Sequence, residues 1–180
     1  VAEEKVRVEH DGFESARFAA LPSPKEARAT LGLPQEVPLA VYAGGLLEWK
    51  GVDLLVDAAR TLPGVYFAIA GGMAADVRRL RARAGGLANV RIDGFQPPAQ
   101  VPLYLAAADL AVVPNRSTSA ISARYTSPLK IFEAMAAGVP MVASDLPSLR
   151  ELLEHERDAV LVPPDDAAAL ARGIERLAAD

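Results

Sequence analysis

The sequence predicts an α/β fold, a doubly wound and mostly parallel sheet of about six strands with helices on both faces. Two observations carry this. Short apolar runs rich in β-branched and aromatic residues alternate with longer helical patterns along most of the chain, and alternation on that scale implies parallel strands joined by helical crossovers. Three of the runs are followed at once by glycine, at Gly44-Gly45, Gly71-Gly72 and Gly94, on the side where an open parallel sheet places its ligand crevice.

Taken in order, LAVYA (39–43) reads as the first strand and GVDLLVDAARTL (51–62) as its helix. VYFAIA (65–70) leads to AADVRRLRARA (74–84), NVRI (89–92) to PAQVPLYLAAA (98–108), and DLAVVP (109–114) to a helix that starts near Pro128. Ser127 is expected to cap that helix, Pro128 to occupy its first position, and Gly138 with Pro140 to end it. PMVAS (140–144) then forms a strand, PSLRELLE (147–154) a short helix, AVLVP (159–163) a last strand, and DDAAALARGIERLAAD (165–180) an amphipathic helix capped by Asp165 or Asp166. Residues 1–36 differ in character: strand-like KVRVEHDG (5–12) with a turn at Asp11-Gly12, a polar stretch, and a helix within PSPKEARATLG (22–32). They read as a linker and lead-in to a domain over 37–180.

Composition narrows the function. At 180 residues and 51% hydrophobic content the chain is long enough for one domain with a substantial core. Its net charge of −4 gives no basic footprint for nucleic acid. Cysteine is absent, which excludes disulfides, thiolate catalysis and Cys-based metal sites and permits a reducing compartment such as the cytoplasm. His10 and His155 have no spaced partners, so no metal is expected. No apolar stretch reaches the roughly 20 residues that span a bilayer, and the start VAEEKVRVEHDG has neither a signal peptide nor an initiator methionine. These features suggest a piece of a longer protein that meets a membrane only through the remainder of that protein.

Two residues stand out chemically. Glu133 is planted among Leu129, Ile131, Phe132, Ala134, Met135, Ala136 and Ala137; a buried carboxylate needs hydrogen-bond donors, and a vicinal diol supplies them. Lys50 follows the first glycine turn and precedes a helix, where an ammonium group neutralises a phosphate at helix N-termini. A solvated surface lysine is the alternative, just as glycines that merely tighten strand-to-helix turns are the alternative for the loops. The pattern is neither a P-loop nor a dinucleotide G-x-G-x-x-G fingerprint. The arginines at 78, 79, 81 and 83 read as a solvated helix face, and Asp109 as a residue that caps or pairs at a strand start.

Together, GGLLEWKGVDLLVDA (44–58), DGFQPPAQVPLYLAAADLAVVP (93–114) and SPLKIFEAMAAGVPMVASDLPSLRE (127–151) resemble retaining glycosyltransferases of the GT-B type. HDGFESARF (10–18) is similar to the linker into that family's second domain, and VLVPPDDAAALARGIERL (160–177) extends the likeness almost to the end. The resemblance implies the donor-binding, Rossmann-like half of such an enzyme, with an N-terminal acceptor domain absent from this chain. It implies that Lys50 contacts the donor diphosphate, Glu133 the ribose hydroxyls, the backbone at Gly94 and Phe95 the base, and main chain at Ser127, Pro128 and Leu129 the distal phosphate or sugar. Gly44, Gly45, Gly71, Tyr125 and Thr126 complete the expected donor site. No metal or cofactor beyond the nucleotide sugar is implied, and no catalytic residue is assigned.

Two positions depart from the family pattern. Eight residues before Glu133, where the family often has an acid on the donor sugar, stands Tyr125; where it has an arginine beside the strand-end glycine stands Gly45. Arg116 and Arg124 are candidates to replace that arginine. The expected function is hexose transfer from a nucleoside diphosphate sugar, with this domain binding the donor but not catalysing alone. A non-catalytic glycosyltransferase-like binding module and a nucleotide-sugar epimerase domain are the alternatives.

Overall fold

The protein's structure, a computed structural model, describes residues 10–180. Among these residues six strands form: β1 (Leu39–Ala43), β2 (Tyr66–Ala70), β3 (Val90–Gly94), β4 (Leu110–Val113), β5 (Met141–Ser144) and β6 (Val160–Val162). All pair in parallel, in the order β3-β2-β1-β4-β5-β6. Chain direction across the sheet therefore reverses between β1 and β4, and the crevice above the carboxyl ends of those two strands is where such sheets bind ligands.

The helices are α1 (Pro24–Leu31), α2 (Val52–Thr61), α3 (Ala74–Ala84), α4 (Val101–Ala107), α5 (Leu129–Ala136), α6 (Pro147–Arg150) and α7 (Ala167–Ala178). Five of the strands are short runs buried on both faces, the edge strand β3 burying only Ile92 and Gly94, so two apolar layers result. On one side α2, α3 and α7 pack through Leu55, Val77 and Ile174 onto Tyr42, Phe67, Ile69 and Val112. On the other, α5 and α6 bring Ile131, Ala134 and Leu149 onto Val113, Met141 and Ala143, while Ala27, Leu33 and Tyr104 cover Leu39, Val41 and Ala68. Residues expected as lead-in thus contribute to the core. Their helix is held by a capping box: the Glu26 N–H donates to Ser23 Oγ at 3.3 Å and the Ser23 N–H to Glu26 Oε2 at 2.9 Å.

The expected strands and helices from residue 22 on form with ends shifted by one to three residues, and two expectations change, at Asp11-Gly12 and in the helix over 147–154. The strand-like residues 5–9 lie outside the described residues, and no turn forms at Asp11-Gly12, because the Asp11 N–H instead donates to Ser127 Oγ at 3.1 Å. The helix expected over 147–154 stops at Arg150; the Glu154 N–H goes to Asp158 Oδ2 at 2.9 Å, and a turn replaces the last helical residues. Of the two capping candidates for α7, Asp166 is the cap, accepting from the Ala169 N–H at 2.9 Å, while Asp165 bonds to Arg116 and Ser117.

Candidate functional site

The three glycine loops lie side by side at the carboxyl ends of β1, β2 and β3. The Gly44 N–H donates to Ala70 O at 2.9 Å and the Gly71 N–H to Gly94 O at 2.6 Å, so each loop is fastened to the next strand end. A side chain is excluded at Gly71, where φ is +129° and a Cβ would stand 1.9 Å from Gly44 O. Backbone therefore lines the floor of an apolar cleft of ≈ 350 Å³, walled by Leu46, Leu47, Met73 and Phe95. Phe95 is 69% exposed, an open aromatic face at the rim. Such a cleft suits a flat heterocycle, with main-chain groups at its edge.

Beside the cleft, between β1 and β4, two lysines converge. Lys50 ends a 3₁₀ turn, Glu48–Lys50, and its ammonium stacks 3.9 Å from the centre of the Trp49 ring. Lys130, in the first turn of α5, donates to the Tyr42 hydroxyl at 2.9 Å and lies 4.1 Å over that ring. The buried Tyr42 hydroxyl in turn donates to Gly45 O at 2.6 Å, tying α5 to the first glycine turn. Burial draws the pKa of Lys50 below its ordinary value. It draws that of Lys130 down strongly, the Lys50 charge adding to the effect and Glu133 opposing it. Two ammonium groups have been placed together and partly dehydrated.

Glu133 is one turn further along α5. It is half-buried, with Ile131 and Ala134 on the helix face that enters the core. Burial raises its pKa, against the pull of the nearby Arg17 and Lys130 charges. Among the described residues no donor hydrogen-bonds its carboxylate, so the group is open to a ligand's hydroxyls.

The loop before α5 corrects the expected cap. Helix α5 begins at Leu129, with Pro128 buried at the cap position and no side chain bonded to the first turn. Ser127 lies outside the helix, because its hydroxyl is taken by Asp11 from the segment that enters the domain. The Ile131 N–H turns back to Pro128 O at 3.0 Å, and the N–H groups ahead of it, at Leu129 and Lys130, carry no side-chain cap and are left for an anion. Upstream, Ile121–Tyr125 forms a π-turn closed by Thr126 Oγ1, which donates to Ile121 O at 2.7 Å. Tyr125 projects from it, 76% exposed, and Leu129, at the start of α5, is 50% exposed.

Arg116 does not replace the family arginine at the Gly45 position. It is committed to Asp53 and Asp165, and its backbone N–H donates to Trp49 O at 2.9 Å. Arg124 is exposed on the π-turn. Sequence reasoning passed over Lys130. Its signal was available: a lysine in the first turn of a helix opposes the helix dipole, so its presence there asks for a partner. The arginines of α3 do form a solvated, paired face, with Arg79 to Asp76 and Arg83 to Asp57. No helix among the described residues is long and apolar enough to cross a membrane.

A family model described as glycosyl transferases group 1 matches residues 37–180. The putative colanic acid biosynthesis glycosyltransferase WcaL of Escherichia coli (strain K12) is 34% identical over 182 residues, covering 98% of this chain and 42% of that protein. This chain therefore spans about two fifths of that relative's length. Among solved structures, Anabaena Alr3699/HepE in complex with UDP and glucose aligns with a TM-score of 0.79 at 28% identity, over 96% of this chain and 47% of that one. The separately solved C-terminal domain of a group 1 glycosyl transferase, LpcC of Francisella tularensis, aligns at 0.76 over 94% of this chain and 89% of its own, at 19% identity, a likeness of fold. A match that runs from the first strand to the last helix leaves one assignment: this chain belongs to the group 1 glycosyl transferases, and its six-stranded domain is one half of a GT-B fold.

Proposed function

We propose that this chain is the donor-binding domain of a glycosyltransferase that transfers a hexose from a nucleoside diphosphate sugar to an acceptor, the acceptor being held by a preceding domain outside this chain. The single observation that carries the reading is the succession of three candidate subsites along the carboxyl ends of β1 to β4. The glycine-floored cleft with Phe95 suits the base, Glu133 has an open carboxylate for the ribose diol, and Lys50 waits beside the uncapped start of α5 for the diphosphate. The UDP and glucose in the complex of the Anabaena relative support this reading. No metal is needed on this scheme, since ammonium groups and helix-start N–H groups supply the positive charge that a leaving diphosphate requires.

Tyr125 and Gly45 favour a second reading, a non-catalytic module that keeps the fold for binding. Thermal-shift titration of the 180-residue chain with UDP, GDP and ADP separates the two. A ligand at 100 times its dissociation constant adds about 2.7 kcal/mol of stability, so a donor domain responds to at least one nucleotide. A flat response to all three, and to their sugars, favours the non-catalytic module. Donor hydrolysis or transfer by the chain alone is expected to be undetectable.

A further inference from the structure

We infer that Lys130 is a phosphate-binding residue, supplying from helix α5 the second cation of the diphosphate subsite. The inference rests on the donor-binding reading and adds to it a residue, a geometry and a charge.

Four observations meet at this side chain. Lys130 approaches the first glycine turn closely: a Cβ on Gly44 would lie 3.5 Å from both its Cε and Nζ. It is oriented, because Tyr42 takes one of its three ammonium protons at 2.9 Å and lies beneath it as a ring. Two donor positions remain for a ligand. It stands near a like charge, Lys50, and among the described residues neither ammonium forms an ion pair with a carboxylate. Like charges gathered in a partly dehydrated pocket cost stability unless an anion joins them. Finally, Lys130 belongs to the first turn of α5, whose backbone donors carry no cap, so the helix start and both ammonium groups address the same space. A singly charged ligand would satisfy one lysine; a diphosphate, with charge spread over two phosphoryl groups, satisfies both and the helix start.

The arrangement also accounts for Gly45. That glycine has no positive φ, and a Cβ built on it meets nothing within 4 Å. A long side chain is thus permitted at 45 by backbone and by space, yet none is present. The charge enters from the opposite layer of the fold instead, through Lys130, held by the Tyr42 hydroxyl that also anchors the Gly45 carbonyl.

The test is isothermal titration with UDP, GDP and ADP on wild type, Lys130→Met, Lys130→Arg and the double variant Gly45→Arg/Lys130→Met. Wild type is expected to bind at least one nucleotide. Lys130→Met is expected to weaken that binding by about 10- to 100-fold, the range for losing one charge-assisted hydrogen bond, and the thermal melt of each variant checks that it is folded. Recovery of most of the loss in the double variant supports a charge role, since an arginine at 45 restores the cation without restoring the contact to Tyr42. Wild-type affinity in Lys130→Met overturns the inference and leaves the donor-binding reading standing. A loss that neither arginine recovers, at 130 or at 45, makes Lys130 a strut for Tyr42 and overturns it as well. If wild type binds none of the three nucleotides, the donor-binding reading falls and the inference with it.

Discussion

Arg28 and Asp109, 81 residues apart in the sequence, meet with Nη2 2.5 Å from Oδ2 and fasten the segment that precedes the sheet to the start of β4. The same Oδ2 accepts the Leu39 N–H at 2.6 Å, so one carboxylate aligns the beginnings of β1 and β4. The guanidinium, itself buried, also donates to the carbonyls of Ala107, Gln35 and Val37. The two strands that flank the ligand crevice are thereby held in register at their far ends.

The pair is asymmetric, and that decides which substitution is worse in kind. Asp109 is 44% exposed on its side chain and Arg28 only 7%. Asp109→Ala leaves a buried cation without its counter-ion and an unpaired N–H on Leu39, and is expected to destabilise the fold by about 2–4 kcal/mol. Urea unfolding measures it. A shift of the midpoint equivalent to less than about 0.5 kcal/mol, the range of ordinary surface changes, would show that Arg28 finds solvent on its own.

Gly71 and Gly45 offer a paired test of the glycine loops. A side chain on Gly71 collides with Gly44 O and requires a backbone angle that L-residues rarely adopt, whereas one on Gly45 meets open space at an ordinary angle. Gly71→Ala is expected to cost about 3–4 kcal/mol and Gly45→Ala to change stability by no more than about 0.5 kcal/mol. Melts of the two variants read the difference; equal melting temperatures would mean that the loops yield and do not fix the cleft floor.

The sheet was legible because five of the strands are short apolar runs bounded by glycine or proline, and β3 sets Val90 and Ile92 ahead of Gly94; the six strands expected from residue 39 on all form. The glycine loops were legible for the same reason, since strand-end glycines in a parallel sheet imply a crevice above them. What the sequence hid was pairing at a distance. Lys130 draws no reading from the sequence; its place is set by Tyr42, 88 positions earlier, whose hydroxyl and ring lie against it. Ser127 reads as a helix cap until Asp11 is seen to take its hydroxyl, and Arg116 reads as a free cation until Asp53 and Asp165 are found around it. Periodicity reports which face of an element is buried; it does not report which polar partner the fold brings to a side chain.

Lys130 has a stability signature independent of any ligand. Its folded-state pKa lies well below the ordinary lysine value, with burial as the main cause. In the window between that lowered value and the unfolded-state value of about 10.4, the unfolded chain binds the proton more readily, so wild-type stability rises with pH. Lys130→Met lacks this term. The variant is expected to exceed wild type in urea midpoint at neutral pH, and the gap to close as pH approaches about 10. Tyr42, whose pKa is raised by burial, lowers the stability of neither protein selectively in the alkaline range and cancels in the difference. A gap that stays constant with pH would place the Lys130 ammonium in water.

Glu133 is tested by pairing a change in the protein with a change in the ligand. If its carboxylate accepts from the ribose hydroxyls, Glu133→Ala weakens UDP by about 10- to 100-fold and has little further effect on 2′,3′-dideoxy-UDP, which lacks the donors. The wild type should lose about as much from the ligand change as from the substitution, so the cycle isolates the contact from any general loosening of α5. The pH dependence has a definite sign. Burial raises the Glu133 pKa above the ordinary glutamate value, and the ionised carboxylate is the stronger acceptor, with both oxygens free to accept from the two hydroxyls. UDP affinity in wild type is therefore expected to fall as pH drops through that raised value, while Glu133→Gln, which still offers a carbonyl oxygen but no charge, binds more weakly throughout and without that inflection. Equal losses of UDP and of dideoxy-UDP in Glu133→Ala would move the residue from the ribose to the packing of the helix that carries Lys130.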